Sequence, residues 1–157
     1  MVRRLRGALL AGLAGALACG SQLRAPPRDA HVGVLPPTYV DYPPPPAVAE
    51  SIPRDPGGAC VWLDGHWDWL GRRWEWAPGG WVTPPEGCFY AAPFINWEPT
   101  AGASRLTYTP AHWYPRERSG MSEEQVRTAC RKPVPCGPPA KPYKAPVGGN
   151  GLSDAER

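Results

Sequence analysis

Four cysteines in the body of the chain have the residue type and spacing for covalent or metal chemistry. Cys60, Cys88, Cys130 and Cys136 form an even set, which in a small domain outside the cytoplasm predicts two disulfides. Three connectivities are possible. We favour Cys60–Cys88 with Cys130–Cys136, because the first would close the tryptophan-rich segment on itself and the second would pin a short loop. A zinc site is the alternative, although the sequence lacks the CxxC pairs typical of structural zinc sites.

Side chains suited to acid–base catalysis are present, but they form no motif that defines an enzyme. His66 and His112 each precede a tryptophan and could join a metal site with a nearby aspartate, although a turn histidine packed on an aromatic ring is the ordinary outcome. Asp68 and Glu75 could face each other as the paired carboxylates of a glycosidase, or form a solvated face. Phosphate-binding loops and dinucleotide fingerprints are absent from the sequence. We therefore expect no enzyme, no metal and no cofactor.

Six tryptophans between Cys60 and Pro85 could bind a ligand by stacking. The gaps between them alternate between five and two residues, so each recurs seven residues on, at Trp62, Trp67, Trp69, Trp74, Trp76 and Trp81. These gaps fit no helical face, whereas a spacing of two places both residues on one face of a strand. We interpret each seven-residue unit as a three-residue strand and a four-residue turn. The result is an antiparallel meander with an aromatic ladder on one face.

The register of this meander follows from the turn length. A four-residue turn between Trp69 and Trp74 sets Trp67 opposite Trp76. The other two connections would set Trp62 against Trp67 and Trp76 against Trp81.

An open ladder of six indoles would leave more apolar surface in water than a monomer tolerates. We therefore expect most of these tryptophans to be covered by the chain itself or by a partner. The apolar segment 88–99 is expected to cover part of the ladder, and a second hairpin is expected around Tyr108 and Trp113.

The tryptophan segment also resembles a known repeat. "WLDGHW" and "WAPGGW" both fit W-x-x-G-x-W, and "WLGRRW" between them has its glycine one place early. The pattern is similar to the WxxGxW (YxWGxW) repeat family of exported bacterial proteins, many of them lipoproteins. The resemblance covers about residues 61–82. It implies an exported address and strand–turn units, and it implies no particular activity.

The N-terminus has the pattern of an export signal. Three arginines, an apolar run over 7–18 and then Cys19 predict a signal peptide over 1–18, too short to span a membrane. "ALAC" resembles the lipobox of bacterial lipoproteins, which implies lipid attachment at Cys19, although Ala16 stands where that family usually has leucine. Ordinary cleavage after "ALA" is the alternative. Gly20 follows the cysteine, which in similar lipoproteins favours the outer membrane.

Charge argues against a nucleic-acid partner. Three of the 17 Lys and Arg residues leave with the signal, so the remaining chain has 14 basic against 14 acidic residues. A formally neutral chain lacks the basic surface that nucleic-acid binding needs. The expected partners are a membrane, through the lipid, and an envelope protein or glycan.

Composition divides the rest of the chain. A Pro-rich tether is predicted over 19–58 and a disordered tail over 137–157, both expected to be solvated. Residues 59–136 form the folded domain, which is small enough to need covalent staples. A short helix is predicted at about 123–131.

The start of that helix has a complete capping pattern. Ser122 is the predicted N-cap and Gln125 completes the capping box, while Met121 and Val126 form the hydrophobic staple. Pro133 ends the helix.

The sequence therefore predicts a mainly β, disulfide-stapled domain with one short helix, flanked by disordered Pro-rich segments. Its expected role is a membrane-tethered structural or protein-interaction module of the cell envelope. A peptidoglycan- or polysaccharide-binding module that uses the tryptophan face is the alternative.

Overall fold

A computed structural model describes residues 23–144, which form small antiparallel sheets and one short helix. The predicted mainly β class with a single helix is confirmed for this range. The elements are β1 (Thr38–Val40), β2 (Glu50–Ser51), β3 (Val61–Leu63), β4 (His66–Trp69), β5 (Trp74–Ala77), β6 (Gly80–Thr83), β7 (Cys88–Ala91), β8 (Phe94–Thr100), β9 (Ala103–Thr109), β10 (His112–Pro115), α1 (Glu123–Thr128), β11 (Val134–Pro135) and β12 (Lys141–Pro142). Two three-stranded sheets have the strand orders β1-β9-β8 and β11-β6-β3, and the other strands form the pairs β10-β7, β12-β2 and β4-β5.

The six tryptophans lie on one long hairpin, residues 61–83, which we call the tryptophan hairpin. Strand β3 pairs with β6 and β4 pairs with β5 in one continuous register, with the partners Trp62–Trp81, Trp67–Trp76 and Trp69–Trp74. The two inner pairs are as predicted. The predicted pairs of Trp62 with Trp67 and of Trp76 with Trp81 are wrong.

The physical reason lies in the three connections. Only the central one reverses the chain, and there the N–H of Leu70 donates to the carbonyl of Arg73 at 2.9 Å. The outer two, 64–65 and 78–79, lie opposite each other in the register and interrupt a single two-stranded ribbon. The gap of five residues between Trp69 and Trp74 thus marks a turn. The other two gaps of five residues mark breaks in the ribbon.

The Pro-rich segment before the hairpin is part of the fold, which contradicts a solvated tether over 19–58 for its described part. Strand β1 pairs with β9, and β2 pairs with β12. Near its start the carbonyl of Arg24 accepts the N–H of Trp62 at 2.7 Å. A proline-rich backbone has few N–H donors and many free carbonyls, so it is suited to accept hydrogen bonds from aromatic neighbours.

The predicted tail is also partly folded. Ala140 is buried, and its N–H donates to the carbonyl of Gly79 at 2.7 Å. Strand β12 follows directly. The rest of the predicted tail, 145–157, lies outside the described residues, as do the predicted signal peptide over 1–18 and Cys19.

Both disulfides form, with a connectivity other than the one we favoured. Cys60 bonds to Cys136, and Cys88 bonds to Cys130. The first bond follows from strand order, because β3 and β11 pair with opposite edges of β6 and their neighbouring cysteines meet across it. The second ties β7 to Cys130, two residues beyond the end of α1. Neither arrangement is visible in the spacing of the cysteines along the chain.

The helix agrees with its sequence pattern. Ser122 is the N-cap, its hydroxyl accepts the N–H of Gln125, and the Gln125 side chain accepts the N–H of Ser122. Val126 is buried and Met121 packs against the same cluster. The helix ends at Thr128, short of the predicted end at about 131.

The apolar residues after the hairpin pack differently from the prediction. Strand β9 pairs with β8 and β1, whereas β10 pairs with β7, so Tyr108 and Trp113 do not share a hairpin. Phe94, Ile95 and Trp97 are exposed and do not cover the ladder. Buried residues form four small clusters, and each disulfide borders one that contains a tryptophan.

Candidate functional site

The tryptophan hairpin presents its indoles as cross-strand pairs. Ring centroids of each pair lie 5.1 to 5.5 Å apart in edge-to-face geometry. This is the arrangement that aromatic quadrupoles favour. The paired register therefore places three aromatic pairs in succession along the ribbon.

A segment of the chain itself runs along this surface. We call residues 42–53 the strap. Its carbonyls accept indole N–H groups from the turn end of the hairpin to its open end: Tyr42 from Trp74 at 2.9 Å, Pro46 from Trp67 at 3.2 Å and Pro53 from Trp81 at 2.9 Å. The strap thus binds along the ladder, whereas the sequence predicts partial cover by segment 88–99.

The centre of the strap contributes a carboxylate. Glu50 accepts the indole N–H of Trp76 at 2.8 Å, and both of its oxygens lie 3.1 Å from the backbone nitrogen of Gly79. A charged acceptor makes stronger hydrogen bonds than a neutral one. Glu50 therefore fastens the strap at the point where the ribbon is interrupted.

The glycines of the two complete W-x-x-G-x-W motifs make room for this carboxylate. A Cβ on Gly65 would lie 2.6 Å from Glu50 Oε2 and 2.6 Å from the Trp76 ring, and one on Gly79 would lie 2.8 Å from Glu50 Oε2. The glycine of the middle motif, Gly71, has φ +80° and open space around it. The early glycine thus marks the turn, and the other two mark the strap's docking point.

Coverage by the chain removes most of the ladder from solvent. Trp62 and Trp81 are each 3% exposed, Trp74 is buried, and the other three are half-buried. Val40, Leu106 and Tyr108 complete the cover around Trp74. A ligand that needs an open row of indoles has little access to this face.

A second cluster joins the hairpin to β9. The Tyr108 hydroxyl donates to Asp68 Oδ1 at 2.6 Å, and the same oxygen lies 3.4 Å from His66 Nε2. Asp68 pairs with Glu75 in the register as predicted. Glu75, however, lies 3.6 Å from Arg73, so the two carboxylates serve different partners.

The charges in this cluster shift each other's protonation. The His66 imidazole, helped by the Tyr108 hydroxyl, holds the pKa of Asp68 below its ordinary value against the effect of partial burial. Burial opposes the charged form of His66, yet the Asp68 carboxylate outweighs it and raises the pKa of that histidine. Burial and the same carboxylate raise the pKa of Tyr108. The cluster is therefore an ion pair of His66 and Asp68 with a tyrosine hydroxyl bound to the carboxylate.

His112 lies in a different part of the fold. Its Nε2 is 3.0 Å from the carbonyl of Arg127, and burial lowers its pKa. The structure therefore does not bring His66 and His112 together. Across residues 23–144, no three His, Cys, Asp or Glu side chains meet in a way that could hold a metal ion.

Comparison of the chain with protein-family models, with curated proteins and with solved structures found no match. The resemblance to the WxxGxW repeat thus rests on the motif residues themselves and stays a prediction. In the described part of the chain, no helix is long and apolar enough to cross a membrane.

Proposed function

We propose that this chain is an exported, lipid-anchored module of the cell envelope that acts structurally or by binding another envelope protein. The observation that carries the proposal is the self-covered tryptophan hairpin: the strap occupies four indole N–H groups. Because these indole donors are bound within the chain, they serve to hold the domain together and are not free to bind a ligand.

The two disulfides indicate a non-cytoplasmic, oxidising location. They use Cys60, Cys88, Cys130 and Cys136, which are all the cysteines except Cys19. Cys19 follows an apolar signal-like run, and this placement supports a role in lipid attachment rather than in structure.

The fold also changes how such an anchor would act. Arg24 is bound to the domain through Trp62, and its side chain forms an ion pair with Asp55 at 2.7 Å. Only five residue steps separate Cys19 from Arg24, a reach of at most about 18 Å. We therefore propose that the domain sits close against the membrane instead of at the end of a long spacer.

Catalysis is not part of the proposal. Asp68 is engaged by Tyr108 and His66, and Glu75 lies beside Arg73. Glycan binding by the tryptophan ladder loses support for a related reason, because three of its indoles are buried and the other three are half-buried.

The anchor is tested by replacing Cys19 with alanine in cells that export the protein. We expect the wild type to incorporate a fatty-acid probe and to fractionate with membranes, and Cys19→Ala to lose both properties while it keeps both disulfides. A matched variant, Gly20→Asp, keeps the cysteine and tests sorting: it should retain the label and move to the inner membrane. An unlabelled wild type, or a Cys19→Ala variant that stays on membranes, would show that the anchor is not there.

A further inference from the structure

Strand β8 forms an open edge of the β1-β9-β8 sheet. Residues 94–97 of this strand are all exposed, and three of them are large and apolar: Phe94, Ile95 and Trp97. Within residues 23–144, no other segment pairs with this edge. An exposed edge of this kind can receive a further strand through its backbone hydrogen-bonding groups.

The turn between β8 and β9 determines which of these backbone groups point outward. Only two residues separate Thr100 from its register partner Ala103, so this pair exchanges backbone hydrogen bonds across the turn. Hydrogen-bonded and non-hydrogen-bonded pairs alternate along an antiparallel ladder. The alternate residues Pro99, Trp97 and Ile95 therefore direct their backbone groups away from β9.

A side-chain contact agrees with this alternation. The carbonyl of Asn96 accepts the Thr107 hydroxyl at 3.2 Å and so faces β9. Because Pro99 has no N–H, the outward donors of the edge are the N–H groups of Ile95 and Trp97.

These donors are arranged symmetrically in the sequence. They lie one residue to either side of Asn96, and Pro93 and Pro99 lie three residues to either side of it. If two copies of β8 pair antiparallel about Asn96, Ile95 of each copy faces Trp97 of the other, and each of these pairs exchanges two hydrogen bonds. A register centred on Ile95 or on Trp97 instead places a donor opposite a proline, where only one bond of the pair can form.

We propose that this chain forms a symmetric dimer in which β8 pairs with β8 of a second copy, antiparallel about Asn96. The two three-stranded sheets then join into one sheet of six strands with β8 of each copy at its centre. Because the same edge is used by both copies, the twofold axis closes the assembly at two chains. This dimer goes beyond the proposed envelope role and does not depend on the lipid anchor.

Apolar side chains at the edge match each other across the axis. Ile95 and Trp97 lie on the sheet face of their register partners Tyr108 and Leu106, which cluster with Trp74 of the tryptophan hairpin. Opposed residues share a face, so the pairing brings Ile95 of one copy beside Trp97 of the other. Trp97, which is 59% exposed in the single chain, is thereby covered.

The charges of the edge also fit this register. Glu98 would face Phe94 of the other copy, and its partner within the sheet is Arg105. Asn96 lies on the axis and faces itself, where its amide can both donate and accept. No like charges are opposed. Glu98 and Pro99 disfavour the addition of an arbitrary strand, whereas the symmetric register leaves both outside the bonded pairs.

The size of the contact predicts how strong the dimer is. The exposed apolar side chains of both copies would together contribute on the order of 600 Å². Stable interfaces bury roughly 1,200–2,000 Å². The dimer should therefore be reversible and depend on protein concentration.

Sedimentation equilibrium of the Cys19→Ala chain, with both disulfides formed, tests the dimer. Cys19 is the one cysteine outside the two disulfides, so its removal prevents an intermolecular disulfide from imitating the association. We expect a monomer–dimer equilibrium at concentrations up to about 1 mM. A chain that stays monomeric throughout this range overturns the proposal and leaves the edge to a foreign strand.

Position 96 tests the register, because it is its own partner on the axis. Asn96→Asp and Asn96→Lys each place two like charges opposite each other, and we expect each dimer to weaken about fivefold. An equimolar mixture of the two variants pairs opposite charges and should associate at least as tightly as the Cys19→Ala chain. Register-shifted pairing would instead set position 96 against Glu98, so that Asn96→Lys would strengthen the dimer.

Thr100→Asp and Thr100→Lys are the matched controls. Thr100 lies on the same strand, four residues from the axis, so neither variant nor their mixture should differ from the Cys19→Ala chain. Retained tryptophan emission in each variant shows that the domain is folded. The proposed register is refuted if mixing the two Asn96 variants restores nothing, or if the Thr100 variants weaken the dimer equally.

Discussion

The carboxylate of Glu50 accepts the indole N–H of Trp76 at 2.8 Å and so joins the Pro-rich strap to the middle of the tryptophan hairpin. The same side chain accepts the backbone N–H of Gly79. These two residues are 26 positions apart in sequence, and their contact turns an expected spacer into part of the folded domain.

Loss of this carboxylate should destabilise the domain. Glu50→Ala leaves the Trp76 and Gly79 donors without an acceptor, and we expect the free energy of unfolding to fall by about 1–3 kcal/mol. Glu50→Gln keeps one acceptor oxygen and should lose less. Glu75→Gln is the control, because its exposed ion pair contributes little. Urea unfolding with intact disulfides measures all three, and equal stability of Glu50→Ala and Glu75→Gln would contradict the proposed role.

Two adjacent glycines provide an internal comparison. A Cβ on Gly79 would lie 2.8 Å from the Leu63 carbonyl oxygen and 2.8 Å from the Trp62 ring, whereas one on Gly80 meets its nearest atom only at 4.0 Å. We expect Gly79→Ala to lower the free energy of unfolding by about 1–3 kcal/mol, as overpacking does. Gly80→Ala should change it by less than about 0.5 kcal/mol. Thermal melts of the two variants side by side decide the matter. Similar melting temperatures would mean that Leu63 and Trp62 do not pack against Gly79 as described.

Local patterns in the sequence predicted only some of the local features correctly. The pair Trp67–Trp76 followed from a single turn, and the cap at Ser122 followed from its capping box. The pair Trp62–Trp81 was missed because a break in a ribbon and a reversing turn have the same spacing. Chain periodicity carries no information about which distant segment will cover a surface.

The strap and the disulfides are the clearest examples of that limit. The partner of Cys60 is set by strand order in a sheet that includes β11, far along the chain. One signal for the strap was present in the sequence: Glu50 is an isolated acid near the end of a proline-rich run. Its meaning depends on a contact with Trp76 that only the fold reveals.

The disulfide connectivity can be checked chemically. Non-reducing peptide mapping should find Cys60 linked to Cys136 and Cys88 linked to Cys130. Replacing both cysteines of either disulfide with serine should lower the free energy of unfolding by about 2–5 kcal/mol. On the loop-entropy model, loss of Cys60–Cys136 should destabilise the domain more than loss of Cys88–Cys130, because the first disulfide spans 76 residues and the second 42. Recovery of a Cys60–Cys88 peptide from folded protein would contradict this topology.

The ion pair of His66 and Asp68 predicts a particular pH dependence. The pKa of Asp68 is lowered from 3.8, so its contribution to stability is present above that pH and is lost as the pH falls through the folded value. The pKa of His66 is raised from 6.5, so its contribution is present below that pH and is lost as the pH rises through the folded value. The pair should therefore stabilise the domain most between about pH 4 and 6.5.

This pH window is tested by measuring the free energy of unfolding of the wild type and of His66→Gln across a range of pH. Because both side chains are partly exposed, we expect a difference of less than about 1 kcal/mol, largest near pH 5–6 and shrinking above pH 7. His112→Gln is the control, since burial lowers the pKa of that histidine and its variant should not show the same window. A difference that grows steadily toward alkaline pH would refute the assignment.

The last prediction concerns the strap as the cover of the ladder. If residues 42–53 are replaced by a glycine–serine chain of equal length, the Glu50 carboxylate is lost. The three backbone carbonyls at positions 42, 46 and 53 then lie in a flexible chain that is no longer held against the indoles, so the hairpin faces water. We expect tryptophan emission to shift to the red and acrylamide quenching to rise.

The measurement is best made in a Trp97→Phe background, because Trp97 is the one exposed tryptophan and would otherwise dominate the quenching. Pro46→Ala keeps the carbonyl that Trp67 uses and should leave both signals nearly unchanged. Unaltered emission after replacement of the whole strap would instead support a free Pro-rich spacer, with the ladder covered by other parts of the chain.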